Sequence, residues 1–259
     1  MIVALLAFVA GLLIGSFLNV VIWRVPRGES VVRPASHCPS CDTDLHAHDN
    51  IPVVSWLLLR GRCRHCDVRI SVRYPLVELG TAALFAAIAV KVGPHALLPA
   101  YLYLAAIAVA LALIDLDVKR LPNAIVLPSY AVGIALLGFA AIVDGDGWPL
   151  VRGLLGMSAY YGAFFLLVLI YPRGMGFGDV KLAGVLGLYL GYLGWDVLAV
   201  GAFGGVLLGG VVGMLLMATH RAGRKTAVPY GPFMLTAAII AVFVGAEIAR
   251  AYARVALAT

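Results

Sequence analysis

The chain has 259 residues, 63% of them hydrophobic and only 12% charged, with a mean hydropathy of +1.00. A soluble domain of this size has no use for so much apolar residue, which leaves a polytopic membrane protein as the class. The formal charge of +6 would suit a nucleic-acid binder, but its distribution along the chain fits membrane topology instead and argues for no nucleic-acid partner.

Apolar runs of roughly spanning length occur near residues 1–23, 76–93, 97–115, 124–143, 152–171, 180–195, 197–218 and 232–250. They predict an all-α polytopic membrane protein of about eight transmembrane helices. The first run lacks a basic lead and a small-residue cleavage site, so it is expected to be a retained helix rather than a signal peptide. Residues 24–75 form the one substantial polar region, and 76–259 a main membrane domain. The polar region contains all four cysteines, as Cys38-Pro-Ser-Cys41 and Cys63-Arg-His-Cys66, with 21 residues between the pairs. Two Cys-x2-Cys knuckles suit a tetrahedral zinc ion, although the gap is a little longer than usual. So short a stretch, poor in large apolar groups, would hardly fold without such a staple. Four free thiols in a loose loop are the plainer alternative. Glu78 opens the second run, where it could complement the helix N-terminus or bind a substrate amine.

The third run ends at Asp115, which opens Asp115-Leu-Asp-Val-Lys-Arg-Leu121-Pro122-Asn123. Asp117 stands two positions on and would face elsewhere on a helix, as a solvated acid. Ahead of the sixth run lies Gly176-Phe177-Gly178-Asp179, with Lys181 shortly after. The two glycines lack the Cβ atoms that would hold a peptide substrate away, which makes Gly176, Gly178 and Lys181 candidates for a cleft lining beside the acid. Lys181 could equally snorkel to the headgroups, the reading preferred here. An ionisable residue at the edge of the hydrocarbon is expensive and marks a functional site by default; taken alone, Asp179 could be a helix cap. Together, Asp115 and Asp179 could share one proton as an aspartic-protease dyad does. The helix ends suggest Asp179 as the base and Asp115 as the acid.

The two motifs in this order, Asp-x5-Leu-Pro-Asn and Gly-x-Gly-Asp-x-Lys, resemble those of the type IV prepilin peptidases, bacterial membrane aspartyl proteases of the GxGD kind. Gly15-Ser16-Phe17-Leu18-Asn19, Asp49-Asn50-Ile51-Pro52, Arg73-Tyr74-Pro75-Leu76-Val77-Glu78 and Pro229-Tyr230-Gly231-Pro232-Phe233 are similar to further family signatures, with Tyr230 where Phe is more usual. The resemblance implies cleavage of the basic leader of prepilins and pseudopilins at the cytoplasmic face of the inner membrane. For members with the four-cysteine loop it also implies N-methylation of the new terminus by S-adenosylmethionine.

Orientation follows from Lys and Arg. Fifteen of the nineteen fall in 24–75, 115–123, 171–181 and 219–230, and the others are Lys91, Arg152, Arg250 and Arg254. With an even number of crossings, the positive-inside rule puts both termini outside and the cysteine loop and both acids at the cytoplasm. Three alternatives remain: a GxGD protease with other substrates and no methyltransferase activity, an ion-coupled transporter, or a membrane scaffold using the zinc loop. Buried acids in Gly-rich helices do mark ion paths, but both acids here lie at one face and no repeated half is visible.

Overall fold

The computed structural model describes residues 1–38, 40–44, 47–172, 175–219 and 228–257. Arg173, Arg221, Arg224 and Lys225, counted above for orientation, lie outside the described residues. The helices are α1 (Ile2–Arg24), α2 (Val54–Leu58), α3 (Arg73–Val92), α4 (Leu98–Val118), α5 (Asn123–Asp144), α6 (Trp148–Ile170), α7 (Phe177–Leu193), α8 (Trp195–Ala218) and α9 (Gly231–Leu257). Strands are absent among the described residues, apart from two isolated bridges in the cysteine region.

Among the described residues, seven helices are long and apolar enough to cross a membrane, and each of the eight apolar runs is helical. The run at 180–195 is the one that falls short. As α7 it has 17 residues, about 26 Å at 1.5 Å per residue, against a hydrocarbon core of ~30 Å.

The chain divides into two compact units, one of Met1–Pro94 with Ala105–Ala110, the other of His95–Leu104 with Leu111–Thr259. In the first, α1 packs on α3 through Gly11 and Gly15. A Cβ on Gly11 would stand 2.6 Å from Ala82 Cα, and one on Gly15 2.7 Å from Glu78 Cα. Two small residues four apart let membrane helices approach in this way, since dispersion at short range replaces the hydrophobic drive that lipid cannot supply.

In the second unit α7 is the central element, packed against α5, α6, α8 and α9. Val180 and every residue from Leu182 to Tyr192 are buried, as an all-apolar helix requires. Its carbonyls receive donors from three neighbours. Tyr130 Oη donates to Lys181 O (2.6 Å), Tyr101 Oη to Tyr189 O (2.8 Å), and the Arg152 guanidinium to Gly191 O (2.8 Å) and Tyr192 O (2.6 Å). The last pair satisfies the orphan carbonyls at the helix C-terminus.

Against α6, backbone meets backbone. A Cβ on Gly156 would lie 2.7 Å from Gly187 O, and one on Gly187 would run into Gly156 O. Gly187→Ala is therefore expected to destabilise the second unit by about 1–3 kcal/mol through overpacking, read as a fall in Tm in detergent. Gly210→Ala, whose new methyl meets open space, should leave Tm unchanged.

Candidate active site and cysteine centre

α4 runs one turn beyond the expected end at 115 and stops where Lys119 adopts a left-handed backbone (φ 53°). Pro122 (φ −67°, ψ 129°) then starts α5, as expected for a residue that cannot extend the preceding helix. Asp115 is thus in the last turn of α4, and it is buried. Its Oδ2 accepts the backbone N–H of Gly231, the first residue of α9, at 3.0 Å. Gly231 has to be small: a Cβ there would stand 2.7 Å from that oxygen and 3.3 Å from Leu121 Cδ2.

Asp179 is the third residue of α7, whose N-cap is Gly176. Its N–H donates to Gly176 O (3.1 Å), and its carboxylate turns back to accept the Gly176 N–H, half of a capping box. Leu121, in the turn between α4 and α5, joins the two acids' surroundings. It touches Gly231 on one side, and on the other its Cβ lies 3.2 Å from where a Cβ on Gly178 would be. The two carboxylates are electrostatically coupled.

The start of α5 is tied to the same place. Lys181 Nζ donates to Asn123 Oδ1 at 2.9 Å and sits 5.2 Å from the Phe177 ring centroid, so it links α7 to α5 rather than reaching for the headgroups. Asp117 is exposed. Tyr230 stands one residue ahead of α9, its ring against Gly209 and its hydroxyl near Gly205 of α8. Burial, and after it the Asp179 carboxylate, push its phenol up to about 12, so it stays protonated at neutral pH.

Leu121, Asn123, Gly231 and Tyr230 were not expected as site residues. All four occur in motifs quoted above, yet no local pattern says which side chain they will meet. The position of Asp115 also weakens the role assignment from helix ends. Its carboxylate touches the N-terminus of α9 as well as the end of α4, and Asp179 stands at the N-terminus of α7, so helix-end charge does not separate the two acids.

The four cysteines of the first unit converge. Their sulfurs all lie within 4.8 Å of one another, with Cys38 Sγ and Cys66 Sγ 3.8 Å apart, and all four thiols are free. Each knuckle is the same hairpin. Cys38 N–H donates to Thr43 O (2.9 Å) as Cys63 N–H does to Val68 O (2.9 Å), and Asp42 N–H donates to Cys38 O (2.8 Å) as Asp67 N–H does to Cys63 O (3.1 Å). The turns are closed by left-handed Asp42 (φ 57°) and Asp67 (φ 56°), a conformation Asp tolerates better than most residues. The repeated Cys-x2-Cys-Asp is the sequence signal for this symmetry. Hydrogen bonds from Thr43 bring Cys41 down to about 6, and the His65 backbone N–H lowers Cys63. Both effects favour the thiolate, the form that binds metal, whereas at Cys66 the Val68 backbone hydrogen bond is outweighed by burial and the other three thiols, which push the thiol up to about 12. Tetrahedral zinc with Zn–S near 2.3 Å needs sulfurs about 3.8 Å apart; the Cys38–Cys66 pair is at that distance and no pair exceeds 4.8 Å, so the four could hold a metal ion.

Glu78 belongs to the first unit. It is buried, and its Oε2 accepts the Val53 N–H at 2.7 Å while the carboxylate also takes the Ser16 hydroxyl. Val53 has a left-handed backbone (φ 63°), costly for a β-branched residue, and Glu78 is the group that holds its amide. Glu78 thus serves a backbone donor at the start of α2, an arrangement that neither reading above anticipated. Beside it, a cavity of about 310 Å³ runs along α1, lined by Leu13, Ser16, Phe17, Arg24, Asn50 and Pro52 among others. Arg24 stiffens its wall by donating to Ser30 O, Pro34 O and Ala35 O.

Residues 9–92 match the family model described as the bacterial peptidase A24 N-terminal domain, and residues 102–249 the model described as the type IV leader peptidase family. Among curated proteins, the chain is 34% identical to the prepilin leader peptidase/N-methyltransferase of Stutzerimonas stutzeri, covering 96% of this chain and 93% of that protein. The proteins of the same name from Pseudomonas putida and Neisseria gonorrhoeae are 38% and 36% identical; the matches cover 94% and 88% of this chain, and 91% and 85% of theirs. No solved structure matches the chain.

Proposed function

The chain belongs to the type IV leader peptidase family, and from that membership we propose that it cleaves the leader from prepilins and pseudopilins and methylates the exposed N-terminus. It is a multi-pass protein of the bacterial inner membrane. We further assign Asp115 and Asp179 as the catalytic pair, with Gly176, Gly178 and Lys181 lining the cleft beside them and facing the cytoplasm, and both termini outside. The observation that carries the pair is Leu121 packed against the glycine next to each acid, with the two carboxylates electrostatically coupled.

The chemistry follows. Like charges sharing one catalytic site do not both ionise, so in this reading the pair carries one proton between them. The ionised carboxylate takes a proton from water while the protonated one donates to the scissile carbonyl oxygen. The water oxygen bonds to the carbonyl carbon; the C–N bond then breaks, the amine leaves with a proton, and the shared proton is restored. The two acids act as one titrating unit. A purified, reconstituted protein that fails to release the leader from a prepilin would overturn this reading.

In the first unit, Cys38, Cys41, Cys63 and Cys66 would hold zinc as a structural staple for the loop. One zinc per chain is expected by elemental analysis under reducing conditions. Cys63→Ser should lose it and open the loop to protease, and methylation should suffer at least as much as leader cleavage. A metal-free wild type with an intact loop would refute the staple. S-adenosylmethionine supplies the methyl group. The cavity along α1 is of a size to take a small donor, and Glu78 keeps its wall in place through Val53.

A further inference from the structure

Arg24 is a buried cation without an anion. It is the last residue of α1 and only 8% exposed, and a guanidinium stays ionised in proteins. It makes no ion pair among the described residues, which include all thirteen acids of the chain. Its partners are neutral carbonyls. Nη1 donates to Ser30 O (3.1 Å) and Pro34 O (2.8 Å), and Nη2 to Ala35 O (3.3 Å). A guanidinium carries five N–H groups, so the Nε–H and one Nη2–H are left without an acceptor among the described residues. Burying a charge is costly unless it is paired, and three backbone dipoles do not neutralise one.

The missing anion has room beside it. Arg24 and two of the residues whose carbonyls it holds, Pro34 and Ala35, line the cavity of about 310 Å³ along α1. Leu13, Phe17 and Val20 make much of the α1 side of that cavity apolar. Ser16 lines it too, eight residues before Arg24, about 12 Å along the helix at 1.5 Å per residue. The cavity is thus an apolar trough with one unneutralised cation in its wall.

We propose that Arg24 receives the carboxylate of the methyl donor, with the rest of the molecule lying along α1 toward Ser16. The proposal rests on the methyltransferase reading above. S-adenosylmethionine has one anionic group at neutral pH, the carboxylate of its amino-acid end. A carboxylate takes two N–H groups from a guanidinium fork, the number that the three carbonyls leave over. Arg24 is therefore a donor-binding residue, and its contacts with the loop hold the guanidinium in place for that task.

The test compares labelled S-adenosylmethionine with its decarboxylated form by equilibrium dialysis. The protein is the full, zinc-loaded chain in phosphatidylcholine nanodiscs, where no anionic headgroup competes. Loss of the carboxylate should weaken binding to the wild type at least about tenfold, the scale of a charge-assisted hydrogen-bonded pair. In Arg24→Gln, S-adenosylmethionine should fall to the level of the decarboxylated form, and the decarboxylated form should bind within about twofold of wild type. The two losses are then one interaction removed from either side. Equal binding of both donors by the wild type overturns the site, and that comparison needs no variant to fold. An equal loss of both donors in Arg24→Gln also overturns it, because Arg24 then only shapes the wall. Methylation of a cleaved prepilin by the wild type is measured alongside. If there is none, the methyltransferase reading falls; if methylation proceeds while the two donors bind alike, the Arg24 site alone falls.

Discussion

Asp115→Asn and Asp179→Asn should each reduce prepilin cleavage by at least about 10³-fold. General acid–base participation is worth ~10²–10⁴ per group, and here neither acid can be replaced by its partner. Asparagine is the informative substitution at 115. It keeps the size of the side chain and an oxygen that can still accept the Gly231 N–H, so the tie between Asp115 and the start of α9 survives while the proton chemistry does not. An Asp115→Asn protein that folds, binds prepilin and fails to cut separates catalysis from capping. Asp115→Ala would remove both and could not make that distinction. Should Asp115→Asn retain most of its activity, Asp115 is only a cap for α9 and the two-acid mechanism is wrong.

The second large effect is expected at a residue with no functional group. Gly231→Ala places a methyl carbon 2.7 Å from Asp115 Oδ2 and 3.3 Å from Leu121 Cδ2. The backbone at Gly231 is not in the left-handed region, so alanine is conformationally acceptable and the whole effect is steric. Either the carboxylate or the start of α9 must give way. Displacing a catalytic group by about 1 Å can cost ~10²-fold in rate, and a loss of that order in kcat is expected while Tm falls little. Single-turnover cleavage by reconstituted protein measures it. Wild-type kcat would mean that the Gly231 amide does not set the position of the acid.

Most of the architecture was legible in the sequence because membrane helices announce themselves by length and hydropathy. All eight apolar runs are helices, and the turn at Leu121-Pro122-Asn123 lies where proline chemistry puts it. The contacts that assemble the site were not legible. Gly231 meets an acid 116 positions earlier in the chain, and hydropathy carries no register between helices so far apart. Lys181 was expected to reach the lipid headgroups, as an isolated lysine at a helix end would, but Asn123 offers it an oxygen nearer by. The knuckle symmetry was missed for a different reason. The cysteines set only the ligand spacing, whereas the aspartate that closes each turn is what makes the two hairpins alike.

Asp179 stands on α7, which is walled in by protein from Val180 to Tyr192, with Lys181 alone less than fully covered. Hydrophobic mismatch acts on helices through the lipid they touch, by tilt, kinking or local thinning. α7 offers the acyl chains almost nothing to grip. A bilayer that thickens or thins must strain the outer helices first, and reaches the acid only through the side chains that clasp α7, among them Tyr101, Tyr130 and Arg152. The acid we assign to catalysis is thereby insulated from the solvent in which the protein is dissolved, much as a soluble enzyme insulates its own from bulk water.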